Sequence, residues 1–217
     1  MKQLFKITLL VAGTAAVSLP ALATPFTLNT GISKSTGLQL PANSGEERYT
    51  VTGAGAPAYV FPSGTWPLTP GTWVPNFAGP SGGQWISPVN NAGGSDPVGI
   101  TTYSISFWLP SAQSISGNFT GDNPAQLSLN GTIKYTQLGW PNPNWSDAYT
   151  WGTLTPFSLS LPAGNNTVVF EVYNGGGPAG LIVDSTSVNV PDGGSTCALL
   201  GMSLLGVGAL RRKLNRA

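Results

Sequence analysis

The 217-residue chain contains no histidine and one cysteine, Cys197. The missing histidine removes the usual general base near neutral pH and the commonest transition-metal ligand. With one cysteine there is no disulfide and no thiolate cluster, so a zinc centre and a Ser-His or Cys-His nucleophile are both excluded. Charge is scarce too: charged residues make up 8% of the chain, against about 25% in ordinary domains. Six of the nine cations lie at the two ends: Lys2, Lys6, Arg211, Arg212, Lys213 and Arg216. Between them only Lys34, Arg48 and Lys134 face seven carboxylates, a net charge of about −4. Nucleic-acid binding needs a basic footprint, which three scattered cations cannot supply.

What the chain does have is concentrated at its ends. Residues 1–23 combine Lys2 and Lys6, an apolar stretch from Ile7 to Leu19, and the small residues Ala21 and Ala23. This predicts an export signal cleaved after Ala23, with a retained membrane helix as the alternative. At the other end, Val190, Pro191, Asp192, Gly193 and Gly194 lead through Ser195 and Thr196 into an apolar run over 197–210, followed by Arg211, Arg212 and Lys213. At about 1.5 Å per residue that run is roughly 21 Å long, short of a hydrocarbon core of roughly 30 Å. Snorkelling basic side chains extend it to a transmembrane helix over about 197–214, with the basic residues as the cytoplasmic stop. A terminal helix of a globular domain is the alternative; it would carry a polar face, whereas 198–210 holds one polar residue, Ser203. Cys197 reads as a small apolar residue of this helix, or as a lipidation site.

This tail resembles the VPDSG-CTERM variant of the PEP-CTERM sorting signals, with Gly193-Gly194 where Ser-Gly is expected. The resemblance implies an exported bacterial protein sorted to the cell surface or extracellular matrix. It also implies an exosortase-type transpeptidase as partner, a membrane anchor before processing, and an association with extracellular polysaccharide. A eukaryotic GPI signal shares the small residues and the apolar tail but not the Val-Pro-Asp signature.

Residues 24–189 read as one all-β ectodomain. Glycine (29) and proline (19) are frequent and evenly spread, and the period is two rather than 3.6. Tyr103, Ile105, Phe107 and Leu109 share one face; Phe157, Leu159 and Leu161 do the same, as do Val168, Phe170 and Val172. Shorter strands are predicted over 49–52, 58–61, 114–119, 125–129, 132–135 and 181–190. Asn130-Gly131 signals a type I′ turn, and Pro162-Ala163-Gly164-Asn165 a turn that would make 157–173 a hairpin. Eight or nine half-buried strands predict a two-sheet antiparallel sandwich, with a closed barrel as the alternative.

The run from Asp122-Asn123 through Leu129-Asn130-Gly131 to Asn174-Gly175-Gly176-Gly177-Pro178 is similar to the galactose-binding-like jelly-roll ectodomains of PEP-CTERM proteins. Tyr49-Thr50-Val51 and 84–88 also fit that pattern. The landmarks are mostly turn and core residues, so they speak to fold more than to ligand.

No catalytic residue, cofactor or metal is predicted. A glycosidase needs two carboxylates across a cleft, and the sequence marks no such pair. Asp122, Asp147 and Asp184 read as turn residues or, with Asn123, as calcium ligands without a loop signature. Four Asn-x-Ser/Thr sequons, at Asn118, Asn130, Asn144 and Asn165, are chance matches in a chain this rich in Asn and Thr. The seven tryptophans include several in Pro- and Gly-rich loops. In the loop 139–151, Trp140, Trp145 and Trp151 offer flat faces to sugar rings, and Asp147 offers a directional acceptor. The same rings can instead fold down as caps on the core. The expectation is therefore a non-catalytic, surface-sorted protein; the alternatives are a carbohydrate-binding module and, more distantly, a polysaccharide-active enzyme.

Overall fold

The computed structural model describes residues 23–54, 57–62, 65, 67–68, 72–89, 96–141, 151–191, 204 and 211. Two units are distinguished: Thr24–Pro191, and a second made of Met1–Ala23 with Asp192–Ala217. Of the second, Leu204 and Arg211 are helical and exposed. Apart from Leu204 and Arg211, the expected transmembrane helix lies outside the described residues, as do Ala21, Asp192, Gly193, Gly194, Arg212 and Lys213. Among the described residues no helix is long and apolar enough to cross a membrane.

Thr24–Pro191 is a two-sheet antiparallel sandwich of the jelly-roll kind. Its strands are β1 (Ala23–Phe26), β2 (Thr50–Gly53), β3 (Tyr59–Val60), β4 (Ile86–Ser87), β5 (Gly99–Leu109) and β6 (Gln113–Asp122). They continue with β7 (Ala125–Leu129), β8 (Thr132–Thr136), β9 (Thr155–Leu161), β10 (Gly164–Asn174), β11 (Gly180–Ser185) and β12 (Val188–Pro191). One sheet runs β2-β5-β10-β7-β8, the other β3-β4-β11-β6-β9, and β1 pairs with β12. The alternation read from the sequence fills the space between the sheets. Tyr103, Ile105, Phe107 and Leu109 of β5 and Val168, Phe170 and Val172 of β10 meet Ile115, Phe119, Phe157, Leu159, Leu161, Leu181 and Val183 from the other side. At about 25 cal/mol per Å² of buried apolar surface, this interior is the main source of stability in a unit without a disulfide.

The β7–β8 turn is as predicted: φ is positive at both Asn130 (50°) and Gly131 (77°), the type I′ pattern. The Asn130 side chain also takes part, its Oδ1 accepting from the Thr167 N–H at 2.8 Å.

The predicted 157–173 hairpin is corrected. β9 pairs with β6, and β10 pairs with β5 and β7, so the short link at Pro162-Ala163 crosses from one sheet to the other. Asn166 stabilises the crossing by donating from Nδ2 to the Pro162 and Gly164 carbonyls at 2.9 and 3.1 Å. A hairpin and a crossing both leave alternate residues facing the core, so the hydrophobic pattern does not separate them. The strand expected over 181–190 is likewise split. Thr186 turns out of line, bonding to Ser116 through its N–H and its hydroxyl, and β12 leaves to join β1.

Candidate functional site

The sheet containing β11 is covered on its outer side by Phe61, Trp73 and Trp85. Leu181 and Val183 face the main core, while Ile182 points the other way and forms a second cluster with Phe61, Trp73 and Trp85. Trp73 and Trp85 stack at 4.1 Å between ring centroids, and both are almost fully buried. The Trp85 Nε1 donates to the Val74 carbonyl at 2.8 Å. Of the tryptophans described, then, these two from the irregular segment are core, while Trp108 on the regular strand β5 is 50% exposed.

Beneath this stack lie two buried carboxylates. Asp122 ends β6; its Oδ2 accepts from Trp73 Nε1 at 2.6 Å and its Oδ1 from Asn123 Nδ2 at 3.0 Å. Burial pushes its pKa up to about 7, with the Trp73 hydrogen bond working against that rise and the nearby charge of Asp96 adding to it. Asp96 accepts from the Ala179 N–H at 2.6 Å and, at longer range, from the Ser87 hydroxyl. Burial raises it to about 6 against the pull of those hydrogen bonds. Around the pair, Asn174 donates to the carbonyls of Asp96 and Pro97, and Asn123 Oδ1 accepts from the Gly175 N–H. Asp96 directly, and Asp122 through Asn123, thus hold the glycine-rich link from Asn174 to Gly180. Two raised carboxylates at one end of a sandwich look like acid-base machinery, but the relative exposures of 4% and 6% and the internal donors fit a structural clasp better. No group of three or more metal-ligating acidic, Cys or His residues occurs among the described residues. Asp122, one of the residues considered for calcium, is accounted for by Trp73 and Asn123.

The predicted sugar-contacting residues fall partly within this region. Trp151 is half-buried and packs against the Trp73–Trp85 cluster, its carbonyl accepting from the Val74 N–H at 2.9 Å. Trp140 is half-buried at the start of the loop, its N–H donating to the Gln137 carbonyl at 3.2 Å. Gln137 anchors that start: its Oε1 accepts from the N–H groups of Gly121 and Ala125, and its Nε2 donates to the hydroxyls of Thr120 and Thr155. Trp145 and Asp147 lie outside the described residues.

A second feature was not foreseen. A groove of about 570 Å³ is lined by Lys34, Arg48, Asn29, Ser81, Asp184 and Ser185 among others. Two of the three cations between residues 24 and 189 line it. The only sequence signal was their scarcity, because the chain reversals that bring residues 29, 34, 48 and 184 together are long-range.

No curated protein matches the chain. Among solved structures it is similar to a native family 35 carbohydrate binding module from Clostridium thermocellum, at 15% identity and a TM-score of 0.38, covering 76% of this chain and 100% of that one. It is also similar to the CBM35 of Paenibacillus barcinonensis, at 13% identity and a TM-score of 0.32, covering 76% of this chain and 99% of that one. At these values no residue role or ligand is carried across. At the C-terminus, residues 189–214 match a family model described as the VPDSG-CTERM motif.

Proposed function

We propose that this is an exported bacterial protein, delivered by its C-terminal signal to an exosortase-type transpeptidase and then to the cell surface or extracellular matrix. There its non-catalytic sandwich associates with extracellular polysaccharide. The observation that carries the reading is the motif match over 189–214, adjoining a folded unit that runs from Thr24 to Pro191. In this reading residues 1–23 are the cleaved export signal, 190–217 the sorting signal, and a helix over about 197–214 a membrane anchor before processing.

The non-catalytic part rests on the carboxylates. Asp96 and Asp122 are the ones raised toward neutrality in this region, and both are spent on internal donors rather than facing an open cleft. Polysaccharide contact through the 139–151 loop, with Trp140, Trp145 and Asp147 as its reach, belongs to the same proposal. Trp151, packed on the cluster beneath, acts as its footing.

Intact mass spectrometry of the protein recovered from cells tests the sorting step. The expected product begins near Thr24 and lacks everything beyond the 190–196 region. Chains still ending at Ala217 would overturn it.

A further inference from the structure

Two five-stranded sheets leave four edge strands, and an edge with free N–H and C=O groups is a ready surface for pairing with a second copy of the chain. β9 is such an edge, seven residues long and without a charge. The groups it turns outward can be assigned one by one. Ser158 lies opposite Ser116 of β6, and Ser116 directs its own N–H and C=O to Thr186, away from β9. Ser158 therefore faces the open side, and by the alternation of an antiparallel ladder so do Pro156 and Ser160.

These positions are closed in different ways. Pro156 has no N–H to offer. Both backbone groups of Ser158 are taken by one side chain: its N–H donates to the Tyr135 hydroxyl at 2.8 Å, and that hydroxyl donates to the Ser158 carbonyl at 3.1 Å. The phenol does here what a residue of a neighbouring strand would do. Just past the strand, Pro162 also lacks an N–H, and its carbonyl accepts from Asn166 Nδ2 at 2.9 Å. Among the described residues on this side, Ser160 alone keeps both backbone groups unoccupied. At the other edge of the same sheet, β3 is covered by its own chain, the Val60 N–H donating to the Ser44 carbonyl and the Asn43 N–H to the Val60 carbonyl, both at 2.8 Å.

An irregularity in β8 delivers Tyr135 to its place. Ile133 lies on the outer face and is 58% exposed, so strict alternation would put Lys134 on the core side and Tyr135 outside. The register shift between Leu127 and Ser128 leaves Lys134 without a partner and turns Tyr135 inward. There it lies opposite Leu127, packs on the core and meets the Phe157 ring edge-on at 6.5 Å. The bulge thus carries a side chain from the edge of one sheet to the backbone at the edge of the other.

We propose that Tyr135 closes the β9 edge against pairing with a second copy of this chain. Without it the edge would present Ser158 and Ser160 together, and two antiparallel β9 strands related by a two-fold axis at Leu159 would match Ser158 of each with Ser160 of the other. With it, a single residue remains, too little for a ladder.

The test is sedimentation velocity of the full chain in density-matched detergent over a concentration series. Tyr135→Ala, which removes the hydroxyl and the ring, should self-associate at least about 10-fold more strongly than the parent. Adding Ser160→Pro should restore the parent's behaviour, because it deletes an N–H the ladder needs at an edge position that tolerates proline. Tyr135→Phe examines the bond itself: in deuterium exchange followed by NMR, the Ser158 N–H should exchange at least about 10-fold faster than in the parent. Tyr135→Ala that associates no more than the parent would overturn the proposal. Association undiminished by Ser160→Pro would do so too, since partial unfolding, not strand pairing, would then drive it. Unchanged exchange at Ser158 in Tyr135→Phe would remove the hydroxyl from the account.

Discussion

Trp73 and Asp122, 49 residues apart, are joined by a buried hydrogen bond of 2.6 Å from the indole Nε1 to the carboxylate Oδ2. The bond ties the segment covering the outer side of one sheet to the end of a strand within it. The same carboxylate is raised to about 7 by burial, so the joint carries a proton near neutrality.

This sets the direction of the pH dependence. Asp96 and Asp122 hold protons in the folded chain up to about 6 and 7, whereas in the unfolded chain they release them near the ordinary value of 3.8. The folded state therefore binds more protons across that window, and stability falls as pH rises through it. Thermal unfolding from pH 5 to pH 8 should show a loss of about 4 kcal/mol, or roughly 8–16 °C in Tm. Asp122→Asn, which keeps an acceptor for Trp73, should flatten the profile and match or exceed the parent at pH 8. A parent Tm that rises over the same interval would contradict this.

The tryptophans separate by mutation. Trp73→Ala removes a ring stacked on Trp85 and bonded to Asp122, and should cost about 3–5 kcal/mol in urea unfolding. Trp108→Ala, on the outer face of β5, should stay within about 1 kcal/mol. Similar costs for the two would show that the covering segment is not core.

Gly83→Ala tests how closely that segment is applied to the sheet. A Cβ there would lie 2.0 Å from the Val183 carbonyl oxygen, which belongs to the backbone of β11 and cannot swing aside. A loss of at least about 2 kcal/mol is expected from overpacking of this kind. A neutral result in chemical denaturation would mean that the backbones stand farther apart.

In the proposed reading, Trp151 supports the 139–151 loop and Trp145 contacts polysaccharide. Trp151→Ala should lower stability by about 2 kcal/mol, since its ring packs on the second cluster. Trp145→Ala should leave Tm unchanged while reducing retention on a polysaccharide affinity gel. Retention unaffected by Trp145→Ala would assign polysaccharide contact elsewhere on the domain.

The sandwich was legible because period-two alternation survives in the middle of β5, β9 and β10, at Tyr103 to Leu109, Phe157 to Leu161 and Val168 to Val172. Which strands pair was less legible. The Pro162-Ala163 link has the composition of a hairpin turn, yet it changes sheets, because partner choice depends on strands far away in the sequence. The fate of the tryptophans was hidden for a related reason. Trp73 and Trp85 sit among Gly and Pro without periodicity, and they are buried because Ile182 presents an apolar outer face for them to cover. Asp96 and Asp122 showed no sign of pairing, being drawn together by β11 and the glycine-rich link before it. The convergence of Lys34 and Arg48 left only their rarity as a trace.

The pairing of β1 with β12 has a consequence for the timing of assembly. An exported chain reaches the far side of the membrane from its N-terminus onward, and β1 arrives about 160 residues before its partner. Until residues 188–191 emerge, Phe26 and the neighbouring part of the core have no strand to close over them, and closing so long a loop carries a substantial entropic cost. Completion of the sandwich thus reports that the last strand has crossed, immediately before the sorting signature follows it. A truncated chain ending before Val188 would remain open at this seam.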